Sequence, residues 1–380
     1  MIYLDNQATT KCAAEVVAAM LPFFTEEYAN PSGVANAFGR RTQERVEAAR
    51  ASIAAQVGCQ SSEIVFTSGS TESNNLAING LLARHESRHI ITSQIEHPSV
   101  LAPIEQAERR GFTVTRLLVD SCGHVDLNHL AESIRPDTLL VSIMLANNEI
   151  GTLQKWAQIV EIVRKSEAFL HTDATQAIGK IPVSLSDLDV DLASFSGHKM
   201  HGPKGVGALF IRQRGRRVRL TQQVYGGGQE KGLRSGTLNV PGIVGLEAAL
   251  ELAAREMDQV PARIGQLRNE FFAELVRQIP DLQLNGPALD SPDRLWNNLN
   301  CVFPGVEGQT LALACEQVAM SSGSACSAAH AEPSHVLKAI GRDLDEVRSS
   351  LRFGLSRFTT AAEISAAAEL IVAAYRRLKP

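Results

Sequence analysis

One cysteine lies in a segment built almost entirely of small residues. Cys326 falls within residues 320–334, where serine, alanine and glycine predominate. Such residues build no core, so the composition predicts a mobile loop at about 321–333. A lone free cysteine is most often a small buried apolar side chain. In this polar setting, with a helix start predicted at Glu332-Pro333, the pattern instead favours a thiol that moves between two places and carries sulfur.

A lysine follows a predicted strand at residues 189–196. Lys199 lies in a glycine-rich turn together with Ser196 and His198. A lysine at a strand end is well placed to form a Schiff base with a carbonyl cofactor. For an isolated lysine, a solvated loop residue is the alternative interpretation.

A turn of serine, threonine and glycine joins a predicted strand, 63–67, to a predicted helix, 76–82. Ser70 and Thr71 lie at its centre. Backbone N–H groups and hydroxyls at a helix N-terminus form an anion site that suits a phosphate. The alternative is an ordinary helix N-cap provided by Ser70 or Thr71.

An aspartate ends the apolar run at 169–172. Asp173 could pair with a protonated pyridine nitrogen, or it could cap the next helix. A phosphate cradle, a Schiff-base lysine and a pyridinium partner together fit pyridoxal 5'-phosphate. The thiol of Cys326 adds what sulfur abstraction needs.

Ordered motifs along nearly the whole chain resemble those of cysteine desulfurases of the NifS/IscS group, which are class-V aminotransferase-like enzymes of pyridoxal-phosphate fold type I. The resemblance implies that sulfur is removed from L-cysteine to give L-alanine and a persulfide on Cys326, with Lys199 and His97 as the other catalytic residues. The motifs are residues 3–10, 67–75, 96–97, 147–152, 171–176, 196–199, 226–230, 233–237, the cysteine loop and 351–353.

The resemblance also assigns binding roles. Arg352 matches the clamp on the substrate carboxylate, which suits the fork of a guanidinium, and Asn148 matches a contact to both substrate and cofactor. Thr237 matches a phosphate contact donated by the other subunit, which implies a homodimer. The cofactor-binding set is Ser70, Thr71, His97, Asn148, Asp173, Gln176, Ser196, His198, Lys199 and Thr237.

The sulfur acceptor stays open. A scaffold or carrier protein in iron–sulfur cluster assembly, tRNA thiolation or DNA phosphorothioation would fit, and the sequence ends soon after 376–379, where iron–sulfur members run on. No intrinsic metal is expected, although Cys326 could share a transient iron–sulfur cluster with a scaffold. Gln7, Gly197 and Asn36 depart from the usual family residues and are expected to tune substrate fit.

Two rival functions are also compatible with these motifs. One is another fold-type-I aminotransferase or lyase in which Cys326 has no role. The other is a non-catalytic protein that serves as a docking partner. Loss of alanine production in a Cys326 variant would exclude the first, and a covalently bound, coloured cofactor would argue against the second.

The elements that must position these residues follow an α/β pattern. Predicted strands at 89–92, 112–118, 138–143 and 169–172 alternate with helices, which predicts a mostly parallel sheet of the seven-stranded type. Ligands bind such sheets at the strand ends. A large cofactor-binding domain is predicted at 15–255. Residues 1–14 and 256–380 are predicted to form a smaller α+β domain that carries the cysteine loop.

Composition is typical of a soluble enzyme. The formal net charge of −4 over 380 residues argues against direct nucleic-acid binding. The six cysteines include no Cys-x-x-Cys pair, so neither disulfides nor zinc are indicated. No signal segment or long apolar run appears, so a cytoplasmic enzyme without membrane contact is expected. An arginine cluster at 212–219 predicts a solvated hairpin, with a dock for an acidic partner as the alternative.

Overall fold

The computed structural model describes residues 1–86, 88–322 and 333–379. Their strands form one large sheet and two small ones. In chain order the strands are β1 (Ile2–Tyr3), β2 (Ile64–Thr67), β3 (His89–Ser93), β4 (Thr113–Leu117), β5 (Thr138–Ser142), β6 (Phe169–Asp173), β7 (Leu192–Ser196), β8 (Gly207–Ile211), β9 (Gln283–Leu284), β10 (Asn298–Val302), β11 (Val318–Ala319) and β12 (Ser350–Gly354).

The large sheet has seven strands in the order β2-β8-β7-β6-β5-β3-β4. Only β8 runs against its neighbours, β2 and β7, and the other pairings are parallel. The carboxyl ends of the remaining six strands therefore meet at one edge of the sheet. This confirms the predicted fold class, a mostly parallel seven-stranded sheet of the pyridoxal-phosphate fold type I architecture. Strands such as β5 are buried along their whole length, as expected when helices cover both faces.

Helices cover the large sheet and build much of the smaller lobe. They are α1 (Ala14–Met20), α2 (Pro22–Thr25), α3 (Ala37–Gln56), α4 (Ser70–Leu82), α5 (Pro98–Arg109), α6 (Leu127–Ser133), α7 (Trp156–Val163), α8 (Val240–Glu256), α9 (Val260–Gln278), α10 (Gly308–Ala314), α11 (His335–Ala339), α12 (Leu344–Arg348) and α13 (Ala361–Leu378). Asn36 is the N-cap of α3, where its side chain accepts a hydrogen bond from the Gly39 N–H at 2.8 Å. Asn36, which departs from the family pattern, therefore stabilises the start of α3.

Apolar side chains form a core on each face of the large sheet. Helices α3, α7 and α8 supply one face, and α4 and α5 supply the other. A separate core fills the smaller lobe, where Leu4 joins Phe271, Phe353 and Ile371. Phe271 and Phe353 meet edge to face, with ring centroids 5.2 Å apart. The division of the chain at residues 15 and 255 remains a prediction.

The smaller lobe is built on β12-β10-β9, whose pairings are antiparallel. Strand β1 pairs with β11 in parallel, through Ile2 with Val318 and Tyr3 with Ala319. The N-terminal segment is thereby fixed to the lobe that carries the cysteine segment. From there it continues to the ends of the large-sheet strands.

The arginine cluster after β8 does not form the predicted hairpin. Within the described ranges no strand follows β8 until β9, and a loop instead closes through the Val218 N–H and the Arg212 carbonyl at 3.1 Å. Arg212 pairs with Asp189 at 2.5 Å, and the Arg216 guanidinium lies 3.9 Å from the centroid of the Phe169 ring. These two arginines hold the loop to the sheet. No described helix combines the length and apolar character that a membrane span requires.

Candidate active site

A cavity of about 450 Å³ opens at the edge where the parallel strands of the large sheet end. A volume of this size is typical of pockets for small molecules and cofactors. Except for Thr237, every predicted site residue within the described ranges lines it: Ser70, Thr71, His97, Asn148, Asp173, Gln176, Ser196, His198, Lys199 and Arg352. The fold therefore brings together residues that are nearly 300 positions apart in the sequence.

The carboxylate end, formed by Asp173, Gln176 and His97, is organised by a directed hydrogen-bond chain. The Asn74 amide donates to Asp173 Oδ2 and to Ser99 Oγ, both at 2.8 Å. Ser99 Oγ lies 2.8 Å from His97 Nδ1, and the Thr175 N–H donates to Asp173 Oδ1 at 3.0 Å. Asp173 ends β6 and is followed by a turn, so the alternative that it caps a helix is wrong.

The tautomer of His97 follows from its partners. The Ser99 N–H donates to His97 Nδ1 at 3.1 Å, so Nδ1 is an acceptor and the neutral ring carries its hydrogen on Nε2. Burial lowers the pKa of His97; the charge of Asp173 opposes this shift, while Lys199 and His335 add to it. A neutral imidazole in this position can accept a proton.

Glu96 precedes His97 and is fully enclosed. Burial raises the pKa of this carboxyl to about 8, although hydrogen bonds from Ser93 Oγ at 2.6 Å and the Met144 N–H at 2.9 Å act in the opposite direction. Its second oxygen has no hydrogen-bond partner among the described residues. A protonated Glu96 leaves Asp173 as the negative charge at this end of the cavity.

Lys199 lies at the end of a single helical turn that follows β7. Its Nζ donates to the carbonyls of Gln7 at 2.6 Å and Ala8 at 2.7 Å. The Gln176 amide donates to the same Gln7 carbonyl at 3.1 Å. Lys199 is therefore held at the cavity wall by the N-terminal segment, and the alternative of a solvated loop lysine is wrong.

Two further departures from the family pattern lie beside Lys199. The buried Gln7 side chain donates to the Asn297 carbonyl at 3.1 Å, which ties this segment to the smaller lobe. A Cβ on Gly197 would lie 3.1 Å from the Pro203 carbonyl oxygen and 3.3 Å from Val206 Cγ1. Glycine therefore allows close packing of the turn that presents Lys199.

The helix end of the cavity, formed by Ser70, Thr71, Ser196 and His198, is built around the start of α4. Gly69, with φ of 149°, precedes the helix, and no side chain caps it. The alternative that Ser70 or Thr71 is the N-cap is therefore wrong, because both lie in the first turn. The N–H groups of a first helical turn have no intrahelical acceptor, and the helix dipole favours an anion there. Thr175 Oγ1 donates to Ser70 Oγ at 2.6 Å.

Charged and titratable groups flank this helix end. Burial would raise the pKa of Glu72, but Arg234, 2.9 Å away, and the Ser68 N–H hold it below its usual value. Burial lowers the pKa of His198 to about 4, and the charges of Lys199, Lys204 and Lys180 add to this effect. At neutral pH His198 is therefore an uncharged hydrogen-bonding group, with Nδ1 3.1 Å from Thr9 Oγ1.

Arg352 projects from β12 of the smaller lobe, and its side chain is only 2% exposed. Nη2 lies 2.9 Å from Asp5 Oδ1, and Nη1 donates to the Asn148 carbonyl at 3.1 Å. The Nε atom is buried and has no hydrogen-bond partner among the described residues. A buried guanidinium at the cavity wall can bind a carboxylate through two parallel N–H donors.

Cys326 lies outside the described residues, but the flanks of its segment are described. On one side, Ser321 and Arg352 exchange backbone hydrogen bonds of 2.7 and 3.2 Å. On the other, Ser334 Oγ donates to Glu149 Oε2 at 2.6 Å, and His335 Nε2 lies 2.9 Å from the Glu96 carbonyl oxygen. Both flanks of the cysteine segment are therefore attached to residues of the cavity wall or to their direct neighbours.

Thr237 is exposed and does not line the cavity of its own chain. Its predicted role is a contact in another subunit, so that role remains a prediction. Among the described residues no group of three or more histidine, cysteine, aspartate or glutamate side chains could hold a metal ion.

Sequence reasoning missed the residues that support those it predicted. Asn74 lies within the motif at residues 67–75, but nothing in the sequence indicates that it contacts Ser99 or Asp173. Lys180 donates to Gln176 Oε1, and Thr175 holds Ser70. A buried lysine four residues after a motif residue is the one signal that could have indicated such a partner.

Comparison with known proteins finds similarity over nearly the whole chain. The family model described as "Aminotransferase class-V" matches residues 2–366. A cysteine desulfurase of Mus musculus is 45% identical over all of this chain and 82% of its own length. The cysteine desulfurase IscS of Anaeromyxobacter dehalogenans is 46% identical over all of this chain and 93% of its own length. A solved "NifS-like protein" superposes with a TM-score of 0.91 at 38% identity and covers 98% of both chains.

Proposed function

The chain belongs to the class-V aminotransferase family and, within it, to the cysteine desulfurases, and on that basis we propose which role each of its site residues has in the reaction. The proposed reaction converts L-cysteine to L-alanine and leaves the sulfur as a persulfide on Cys326. The observation that carries the assignment is one cavity that combines Lys199, Asp173, the start of α4 and the buried Arg352. The alternative of a non-catalytic docking partner does not account for that combination.

The residues present fit pyridoxal 5'-phosphate as cofactor. The carboxylate end offers a negative charge for a pyridinium nitrogen, and the helix end offers N–H groups and hydroxyls for a phosphate. Lys199 lies at the cavity wall where covalent attachment would occur. The chemistry that the bound cofactor supplies is withdrawal of electrons from the substrate α-carbon.

The protein groups then orient the substrate and move protons. Arg352 would hold the carboxylate of L-cysteine, with Asn148 beside it. The Lys199 amine, close to a cationic cofactor, would have a lowered pKa and would move the proton at the substrate α-carbon. His97, neutral and buried, would exchange protons on the other side, and Gln176 would donate to the ring oxygen of the cofactor.

The sulfur step balances without an outside oxidant. The Cys326 thiolate attacks the substrate sulfur, so an S–S bond forms and the C–S bond breaks. The electron pair of the C–S bond goes to the substrate β-carbon, which then takes a proton. One L-cysteine and one thiol therefore give one L-alanine and one persulfide, which is passed to an acceptor.

The acting unit in this proposal is a homodimer. Large apolar side chains are exposed along the N-terminal helices and near residue 225: Leu21, Phe24, Tyr28, Val34, Phe38 and Tyr225. Exposed apolar surface of this kind is typical of an association site. Thr237 of one chain would then reach the helix end of the other, and the acceptor would be a scaffold or carrier protein in a reducing, cytoplasmic setting.

The experiment that tests the function compares Cys326→Ala with Cys122→Ala, a free cysteine that does not line the cavity. We expect alanine formation from L-cysteine to collapse in Cys326→Ala and to persist in Cys122→Ala. Alkylation and peptide mapping should locate the persulfide on Cys326. Alanine formation that persists without Cys326 would favour another lyase or aminotransferase, and a wild-type protein that binds no cofactor would favour the docking partner.

A further inference from the structure

A second lysine lies behind the carboxylate end of the cavity. Lys180 is only 4% exposed, and its Nζ donates to Gln176 Oε1. The Trp296 indole donates to the Lys180 carbonyl at 2.7 Å, which fixes the backbone at this point. Because lysine is among the residues least often buried, its presence here needs a reason.

Among the described residues, none provides Lys180 with a compensating negative charge. The charges of Lys199 and Arg352, which interact electrostatically with Lys180, are both positive. His198 and His201, in the turn after β7, also interact with it. A cavity of about 40 Å³ that touches Lys180 and Lys199 is also lined by Glu256 and Arg357. That carboxylate and that guanidinium are already hydrogen-bonded to each other. Burial, together with the charges of Lys199 and Arg352, lowers the pKa of Lys180 well below its ordinary value.

Two contacts set the direction of the Gln176 amide. Lys180 Nζ donates to its Oε1, and the Gln7 carbonyl, which can only accept, takes its NH₂ group. The Gln176 NH₂ group then points the other way, toward the Gln7 carbonyl at 3.1 Å and the cavity. The same Gln7 carbonyl accepts from Lys199 at 2.6 Å. Lys180, Gln176 and Lys199 are thus joined through one short chain of contacts.

We propose that Lys180 is a positioning residue that fixes the Gln176 amide with its N–H toward the cavity, where it donates to the ring oxygen of the bound cofactor. This inference rests on the proposed cofactor. Without Lys180 only the Gln7 carbonyl holds this orientation, so the amide rotates more easily and presents its oxygen for part of the time. A negative ring oxygen would then lose a donor and face an acceptor, so it would bind a proton at a higher pH.

The test is a pH titration of the visible absorbance of the purified protein loaded with pyridoxal phosphate. In Lys180→Met, which keeps the length and apolar stem of the side chain, we expect the midpoint to rise by about half to one pH unit, the size of one lost hydrogen bond. Lys165→Met, an exposed lysine that precedes β6 and lines neither cavity, is the matched control and should leave the midpoint unchanged. Thermal unfolding is measured in parallel.

A double-mutant cycle separates action through Gln176 from a direct charge effect. In a Gln176→Ala background, Lys180→Met should cause no further shift. An equal shift in both backgrounds, or a lower melting temperature with an unchanged midpoint, would overturn the inference. If Lys180→Met does not fold, Lys180→Leu, which also removes the donor, is measured in its place with the same cycle. Failure of the wild-type protein to bind pyridoxal phosphate would count against the proposed function instead.

Discussion

The two ends of the cavity are stabilised in different ways. At the carboxylate end, Asp173 is held by Asn74 and by the Thr175 N–H, and the chain continues through Ser99 to His97. At the helix end, the main feature is the first turn of α4, whose N–H groups have no acceptor within the helix. One end is an arrangement of side chains fixed by other side chains. The other is a property of the backbone.

This difference indicates where substitutions should matter. A side-chain network loses its function when one member is removed, because the partners remain buried and lose their hydrogen bonds. A helix N-terminus shares an anion among several N–H groups, so that the loss of one hydroxyl is tolerated. We therefore expect large catalytic effects at the carboxylate end and small binding effects at the helix end.

The largest effect is expected at Lys199, which links the two ends. Lys199→Ala removes the only amine predicted to attach the cofactor and to move the substrate proton, so turnover should fall below detection. Lys204→Ala is the matched comparison, because Lys204 lines the same cavity. Borohydride reduction followed by peptide mapping should find the cofactor on Lys199, and a cofactor found on Lys204 would contradict the assignment.

The next effect tests the network at the carboxylate end. Asp173→Ala should lower the rate by on the order of 10²- to 10⁴-fold, because it removes the charge that stabilises a pyridinium in the transition state. Asn74→Ala should cost less, about tenfold, because it leaves the carboxylate in place but removes one of its hydrogen bonds. Steady-state kinetics at saturating cofactor would measure both. Equal losses in the two variants would show that the network, and not the charge, is what matters.

The sequence predicted residues that the fold brings together in one cavity, but not those that hold them in place. Lys199 and Ser70 each follow a strand and Asp173 ends one, and in a parallel sheet the strand ends meet at one edge, so the local pattern is sufficient. The contact of Asn74 with Ser99 and that of Ser334 with Glu149 join positions 25 and 185 residues apart. Such pairs depend on the packing of whole elements, which no local pattern records.

The same distinction explains the predictions that were wrong. Ser70 fits the composition of an N-cap, yet Gly69 takes that position because the chain needs φ of 149° there to turn from β2 into α4. The arginines at 212–219 fit a solvated hairpin. Arg214, Arg217 and Arg219 are exposed as predicted, but no described strand pairs with β8 there, and Arg212 and Arg216 pack against Asp189 and Phe169, which are remote in sequence.

At the helix end we expect a small effect on binding alone. Ser70→Ala should weaken cofactor affinity by about fivefold, which corresponds to about 1 kcal/mol for one hydrogen bond, and should leave the rate at saturating cofactor unchanged. Equilibrium titration of the apoprotein with pyridoxal phosphate measures the affinity. Thr175→Val, which removes the donor to Ser70 Oγ, should have a similar or smaller effect. A lower rate at saturation would show that this end also takes part in catalysis.

The smallest expected effect is a pH dependence of stability caused by His198. Its pKa in the folded protein is about 4, below the ordinary value of 6.5, because burial and the neighbouring lysines disfavour the charged ring. Between these values the unfolded chain binds a proton that the folded chain does not. The stability contributed by His198 is therefore complete above pH 6.5 and is lost as the pH falls toward 4.

His198→Gln removes this titration and keeps a polar side chain beside Thr9. Between pH 7 and pH 5 the melting temperature of the wild-type protein should fall more steeply than that of the variant, by about one or two degrees. Differential scanning calorimetry of the two proteins without added cofactor measures the slopes. Parallel slopes would mean that His198 becomes charged in the folded protein. The helix end would then use a formal charge, as the carboxylate end does, and the contrast between the two ends would not hold.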